Sequence, residues 1–237
     1  MYYKLSNTAD RSQIEEAFDM PFKHPKIFRP EVVIHGLNEA TIPVITMEEP
    51  ELISFAIWGM LPSNYEEEWA IFQSVTNTLN LEEKSLDANY WHSESLNDRR
   101  CLVIVTGFFT SYLHQGKVYP YYISLSSGEP FLLAGIYNRA EDGFLTCSIL
   151  VGKADSFIQR FQSIVDSMPL IISRELMNAW LNPKADIGEI KELLRTLEKA
   201  DLQANPIAKE LFNQNISYDS ILEPVDYKNI PPQMEQE

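Results

Sequence analysis

Only two cysteines occur in the 237 residues, Cys101 and Cys147, and each sits in an apolar run. Two buried, reduced thiols are therefore expected, with no disulfide framework organising the fold. Positive charge is scarce as well. The 19 Lys and Arg stand against 34 Asp and Glu, a formal net charge of −15. Affinity for nucleic acid comes largely from cations that displace counterions from phosphates, so a strongly nucleic-acid-binding surface is not expected. The nine glycines form no Gly-x-Gly-x-x-Gly loop of the kind that cradles phosphate. The four histidines, His24, His35, His92 and His114, have no metal-ligand spacing, so neither metal nor cofactor is expected. No run of about 18 apolar residues is present, and Met1-Tyr2-Tyr3-Lys4 lacks the charged-then-apolar layout of a signal peptide. The expectation is a cytoplasmic protein that does not enter membranes.

What is present is globular. Hydrophobic residues make up 45% and aromatics 11%, enough for one large domain with a sizeable core. Ile14, Ala17 and Phe18 recur at helical spacing and predict a helix over 11–18. Residues 43–46 and 53–59 read as strands, and Glu66-Glu67-Glu68-Trp69 as a surface helix or loop. The β-branched and aromatic runs at 101–109, 121–125, 131–137 and 144–151 are separated by turn signals such as Ser127-Gly128 and Asp142-Gly143. They predict four strands of one antiparallel core sheet. Helices are expected at 154–161, at 173–181 with Ser173 as N-cap, and at 187–199. Strands in the middle and helices toward the ends make an α+β pattern. Residues 1–229 are read as the domain, and 230–237 as a disordered tail.

The most specific signal is an ordered series of short motifs. Thr78-Leu79-Asn80 is followed by Arg99-Arg100-Cys101-Leu102-Val103, Gly107-Phe108-Phe109 and Pro120-Tyr121-Tyr122. Then come Ala134-Gly135-Ile136, Asp166-Ser167-Met168-Pro169 and Ala179-Trp180-Leu181, with Trp58-Gly59-Met60-Leu61-Pro62 ahead of them all. Each motif alone is weak. Their order and spacing resemble the SRAP family (SOS response-associated peptidase-like proteins), whose active members trap abasic sites in single-stranded DNA. The resemblance implies a single α+β domain, with barrel-like, mostly antiparallel strands wrapped by helices around an N-terminal cleft.

It also implies where the chemistry should be, and there the sequence departs from the family. Active members carry a cysteine at position 2, whose thiol and α-amine close a thiazolidine ring on the abasic aldehyde. Here the residue is Tyr2, a phenol with an ordinary pKa near 10 that forms no comparable ring. Removal of an initiator methionine needs a small second residue, so Met1 is expected to stay and shift the α-amine by one residue. The asparagine that positions the reacting end is kept as Asn80. The family's arginine two residues on is Glu82, and the acidic residue after it is Lys84, a swap of signs suggesting a re-formed surface pair. The catalytic glutamate becomes Thr110, which cannot shuttle a proton near neutral pH. The family histidine three residues before Met-Pro becomes Val165, and the neighbouring arginine becomes Ser167. Lys4 keeps the positive charge near the N-terminus.

No replacement nucleophile is evident. Cys101 abuts Arg99 and Arg100, which would favour a thiolate, yet it opens an apolar strand where burial is expected. The reading is a member of this fold without the crosslinking and peptidase chemistry, which leans against an enzyme and leaves that question open, with Lys4, Asn80, Glu82 and Ser167 as a weak or degenerate nucleic-acid surface. Trp58, Trp69, Phe108 and Tyr2 are the aromatics that could line a retained cleft, with core packing as the alternative for each. The partners considered are single-stranded DNA, bound weakly, or a protein segment. The alternative activity is residual abasic-site reactivity through the Met1 amine, with Asn80 as support.

Overall fold

The computed structural model describes residues 2–87, 91–212, 218–228 and 230. The first half runs β1 (Lys4–Asn7), α1 (Arg11–Phe18), β2 (Glu31–His35), β3 (Thr41–Thr46), β4 (Ile53–Trp58), α2 (Trp69–Val75), β5 (Asn80–Glu82) and α3 (Ser93–Asp98). The long strands follow: β6 (Arg100–Val105), β7 (Gly107–His114), β8 (Lys117–Leu125), β9 (Phe131–Arg139) and β10 (Leu145–Lys153). Short elements close the chain: β11 (Ser167–Pro169), β12 (Ile171–Ile172), α4 (Met177–Trp180), α5 (Ile187–Arg195) and β13 (Leu202–Pro206).

Five strands close into a barrel in the order β10-β4-β3-β6-β9, with β9 pairing back onto β10. All pairings in the ring are antiparallel except β4 with β10. A second sheet runs β13-β8-β7-β1-β2. The fold is α+β, as the element pattern implies. Continuous apolar runs such as Cys101-Leu102-Val103-Ile104-Val105 arise because both faces of the barrel wall are covered. Cys101, Val103 and Val105 point into one core, with Trp58, Leu133 and Ile149. Leu102 and Ile104 point into another, with Ile14, Ile136 and Trp180. Both cysteines are free and buried.

Several expectations need correcting. The run 101–109 is two strands in different sheets, divided at Thr106. At Gly107 a Cβ would sit 2.3 Å from the Tyr122 ring, so the chain can cross between sheets only with glycine there. Tyr121 to Leu125 accordingly belongs to β8 in the second sheet, not to the barrel with β6, β9 and β10. The helix expected over 154–161 is one 3-10 turn, Ile158–Arg160. Asp155 accepts from the Ile158 N–H and ties the backbone into a local turn instead. Ser173 makes no side-chain cap bond, and its helix starts as a 3-10 turn before α4. The last helix stops at Arg195, where the Thr196 hydroxyl donates to Glu192 O at 2.9 Å. Its start is fixed by an Asp186–Glu189 capping box, and α1 is capped the same way by Asp10 and Gln13.

Ile230, placed in the tail by sequence, is half-buried and packs against the barrel core; 231–237 lie outside the described residues. Among the described residues no helix is long and apolar enough to cross a membrane.

Candidate functional site

The N-terminal strand delivers Tyr2 to the junction of the two sheets. Leu5 pairs with Phe108 and Ser6 with Gly107, so β1 lies beside β7 and its first residues run toward β5. Strand β5 pairs parallel with β10, placing Asn80 opposite Ile149. The turn before it is pinned by Thr78, whose hydroxyl donates to Met60 O at 2.6 Å and whose N–H donates to Gln73 Oε1 at 2.9 Å. Trp58 braces the same turn through an Nε1 bond to Leu79 O, and Trp69 Nε1 donates to Gly59 O just past β4, both at 2.8 Å. Gly59 has φ +114°, and a Cβ there would meet the Trp69 ring at 2.6 Å, so the Trp-Gly pair is a packing motif. Trp58, Trp69 and Phe108 are all buried. Core packing accounts for Trp58 and Phe108, while the Trp69 ring, 6% exposed, forms part of the wall of a groove on another face.

Asn80 and Tyr2 hold each other as two backbone segments would. Asn80 Nδ2 donates to Tyr2 O at 2.7 Å, and Tyr2 N donates to Asn80 Oδ1 at 3.3 Å. With Met1 in place that nitrogen is a peptide amide. The Met1 amine itself lies outside the described residues. The Tyr2 ring is 3% exposed and meets Phe108 edge-on at 5.5 Å. Its hydroxyl donates to Gln162 Oε1 at 2.7 Å and lies 2.8 Å from Ser167 O. Burial pushes the phenol pKa far above its ordinary value, so Tyr2 is a neutral hydrogen-bond donor at any physiological pH.

Gln162 is the organising residue that the sequence did not single out. Its Nε2 donates to Val165 O at 2.9 Å and to Ser167 O at 2.7 Å, folding residues 162–167 around one amide. No sequence signal marks it, because a lone glutamine has no motif. Thr110 reaches the same segment from β7, donating to Phe161 O at 2.9 Å. Tyr2 and Thr110 thus both bond to the 161–167 segment that carries Val165 and Ser167, and Asn80 joins them through Tyr2. Val165 contributes its carbonyl through Gln162.

The other candidates separate. Lys4 turns to the C-terminal part, donating from Nζ to Leu211 O at 2.6 Å, and burial lowers its pKa. Glu82 and Lys84 form a surface ion pair at 2.9 Å. Both line a pocket of about 450 Å³ that includes Ser167. Its charged lining is mixed, Glu82, Glu83 and Asp166 against Lys84 and Lys153. That balance gives a phosphate chain no net attraction. Among the described residues no group of three His, Cys, Asp or Glu is placed to hold a metal ion.

Known proteins share this frame. Residues 1–214 match the family model for SOS response associated peptidase (SRAP). A Bacillus subtilis protein named abasic site processing protein YoqW is 27% identical over 158 residues, covering 64% of this chain and 67% of its own. Abasic site processing protein YMR114C of Saccharomyces cerevisiae is 21% identical over 196 residues; the match covers 81% of this chain but only 51% of the yeast protein. A crystal structure of a Bacteroides thetaiotaomicron protein superposes with a TM-score of 0.83 at 22% identity, covering 94% of this chain and 99% of that one. A Bordetella bronchiseptica protein gives 0.71 at 16%, covering 87% and 99%. At these identities the structures establish a shared fold.

Proposed function

We propose that this chain, which belongs to the SRAP family, is a member in which the covalent abasic-site trap has been replaced by a sealed packing arrangement. Relatives named as abasic site processing proteins place the family beside damaged DNA. In this chain the crosslinking step is absent, and any contact with single-stranded DNA is weak and non-covalent.

One observation carries the reading: at position 2 a buried, hydrogen-bonded phenol occupies the place where the family chemistry needs a thiol, and the backbone nitrogen of that residue is engaged by Asn80. Supporting it, Thr110 gives its hydroxyl proton to Phe161 O, and the Val165 position offers only a carbonyl already used by Gln162. Neither can move a proton to or from an imine near neutral pH. Glu82 with Lys84, and Ser167, leave the adjoining pocket without the net positive charge that a phosphate path requires.

The test is incubation of the full chain with a single-stranded oligonucleotide bearing one abasic site, followed by heating in detergent and electrophoresis. No shifted band is expected. A heat-resistant band would overturn the reading, and its disappearance after blocking the α-amine would assign the chemistry to Met1.

A further inference from the structure

Between the loop entering α2 and the turn joining β9 to β10 lies a groove of about 460 Å³, remote in its lining from Tyr2 and Gln162. Its apolar lining comes from Ile57, Leu61, Tyr65, Trp69 and Phe144. Phe144 is 65% exposed, a large ring left in water at the tip of a hairpin. Tyr65 is half-buried and begins a row of rings, 4.9 Å from Phe72, which in turn is 5.9 Å from Trp91. The charged lining is of one sign: Glu66, Glu67 and Glu68 from the loop, Glu141 and Asp142 from the hairpin, and Glu39. No Lys or Arg is among the lining residues. Arg139 at the end of β9 is taken up by Glu48 at 2.5 Å and by Gly143 O at 3.1 Å.

Three features select the occupant. The sign of the charge opposes nucleic acid, because six carboxylates repel phosphates. The carboxylates do not converge: among the described residues no three of them are placed to share a metal ion, so a compact divalent cation does not answer the charge. The exposed rings call for an apolar or cationic side chain that can lie on them. An extended ligand carrying several separated cations and an apolar anchor meets all three conditions.

We propose that this groove docks a Lys/Arg-rich segment of another protein. Its basic side chains pair with the Glu66–Glu68 loop and the Glu141-Asp142 turn, and its apolar anchor packs on Phe144 and Tyr65. Complementary charge steers the segment in and fixes its direction, while the rings hold it against salt. Docking here does not depend on the fate of Tyr2, and failure of either reading leaves the other standing.

The test uses a fluorescein-labelled peptide of about eight residues, roughly 25 Å when extended, alternating lysine or arginine with leucine and tryptophan. Anisotropy is expected to show saturable binding with Kd on the order of 10 μM at about 0.05 M salt, weakened but not abolished at about 0.5 M. Glu66→Lys with Glu67→Lys should weaken it about tenfold, and Phe144→Ser several-fold. Glu192→Lys with Glu198→Lys, the same change in net charge on and just beyond α5, should leave it within about twofold. Melting curves confirm that each variant is folded.

Equal weakening by the α5-side pair would mean diffuse electrostatic attraction and would overturn the proposal. So would undiminished binding of a peptide with glutamate in place of its basic residues, an absence of saturable binding, or displacement of the peptide by single-stranded DNA.

Discussion

Replacing Tyr2 with phenylalanine removes one oxygen and keeps the ring, and the consequences can be worked through atom by atom. The hydroxyl has a single proton, which goes to Gln162 Oε1 at 2.7 Å; Ser167 O is already served by Gln162 Nε2 at 2.7 Å. Tyr2→Phe therefore strands Gln162 Oε1 in a site where the residue is only 5% exposed. Leaving a buried acceptor without a donor costs about 1–3 kcal/mol. For a chain of 237 residues each kcal/mol moves Tm by about 2–4 °C, so a drop of about 2–12 °C is expected. Tyr2→Ala also forfeits the edge contact with Phe108 and should cost about 3–5 kcal/mol in total.

Combining Tyr2→Phe with Gln162→Met makes the pair apolar, so the double variant should recover at least about 1 kcal/mol relative to the sum of the singles. The pH dependence has a definite sign. Burial raises the phenol pKa, so its contribution is full below the unfolded value near 10 and fades only as pH rises beyond that. The gap between wild type and Tyr2→Phe should be flat from about pH 6 to 9. Urea and thermal unfolding provide the measurement. A Tyr2→Phe variant within about 0.5 kcal/mol of wild type, or strict additivity in the cycle, would refute the role assigned to Gln162.

Arg100 is fully buried and gives its guanidinium protons to Trp180 O, Leu96 O, Asn97 O and Asn182 O at 2.6–2.7 Å. A lysine cannot span that fork, so Arg100→Lys should cost at least about 3 kcal/mol in urea unfolding, and a loss under about 1 kcal/mol would contradict the reading. Burial lowers the pKa of His92, which makes the unfolded chain the better proton binder; its contribution is full above pH ~6.5 and is lost as pH falls through the depressed folded value. His92→Gln should flatten the fall of Tm on acidification below that point, and an unchanged slope would show that His92 does not govern it. Glu82→Arg with Ser167→Arg should strengthen binding of single-stranded DNA and steepen its salt dependence by about 0.7 for each additional phosphate neutralised, as read by anisotropy. An unaltered slope would show that the pocket is not a path for phosphates.

The parts of the fold visible in the sequence are those fixed by burial. The runs from Cys101 to Val105, Phe131 to Tyr137 and Thr146 to Val151 are strands because both faces of the barrel wall exclude water, whereas Phe144, which heads the last run, stays outside the strand at the exposed hairpin tip. The barrel's closure was hidden, because β4 meets β10 through only two parallel residue pairs, Thr146 with Ile57 and Cys147 with Trp58. Such a junction leaves no periodic trace. The crossing at Thr106-Gly107 was hidden in the same way, since an apolar run does not reveal which sheet it enters. The Asp186-x-x-Glu189 and Asp10-x-x-Gln13 capping signals were present in the sequence, whereas the single turn at 158–160 answers to Asp155 and to core packing. In the site, Tyr2 and Asn80 were placed together by family resemblance, and their reciprocal bonds follow from that placement. Gln162 was out of reach, because its importance exists only once residues 162–167 fold around it.

On the proposed reading the substituted positions form a coherent set. Loss of a catalytic group usually leaves a hole, an unpaired polar atom or a lone charge, each costly in a buried site. Here the phenol at position 2 has found Gln162, the threonine at 110 has found Phe161 O, and the glutamate at 82 has found Lys84. Asn80 pairs with the backbone of Tyr2 on both sides of its amide. Each replacement group is satisfied by a neighbour that the family chemistry does not require. The sealed junction therefore serves stability, holding β1, β5 and the 161–167 segment in register. Tyr2→Cys alone would open a cavity and strand Gln162 Oε1 in a buried site.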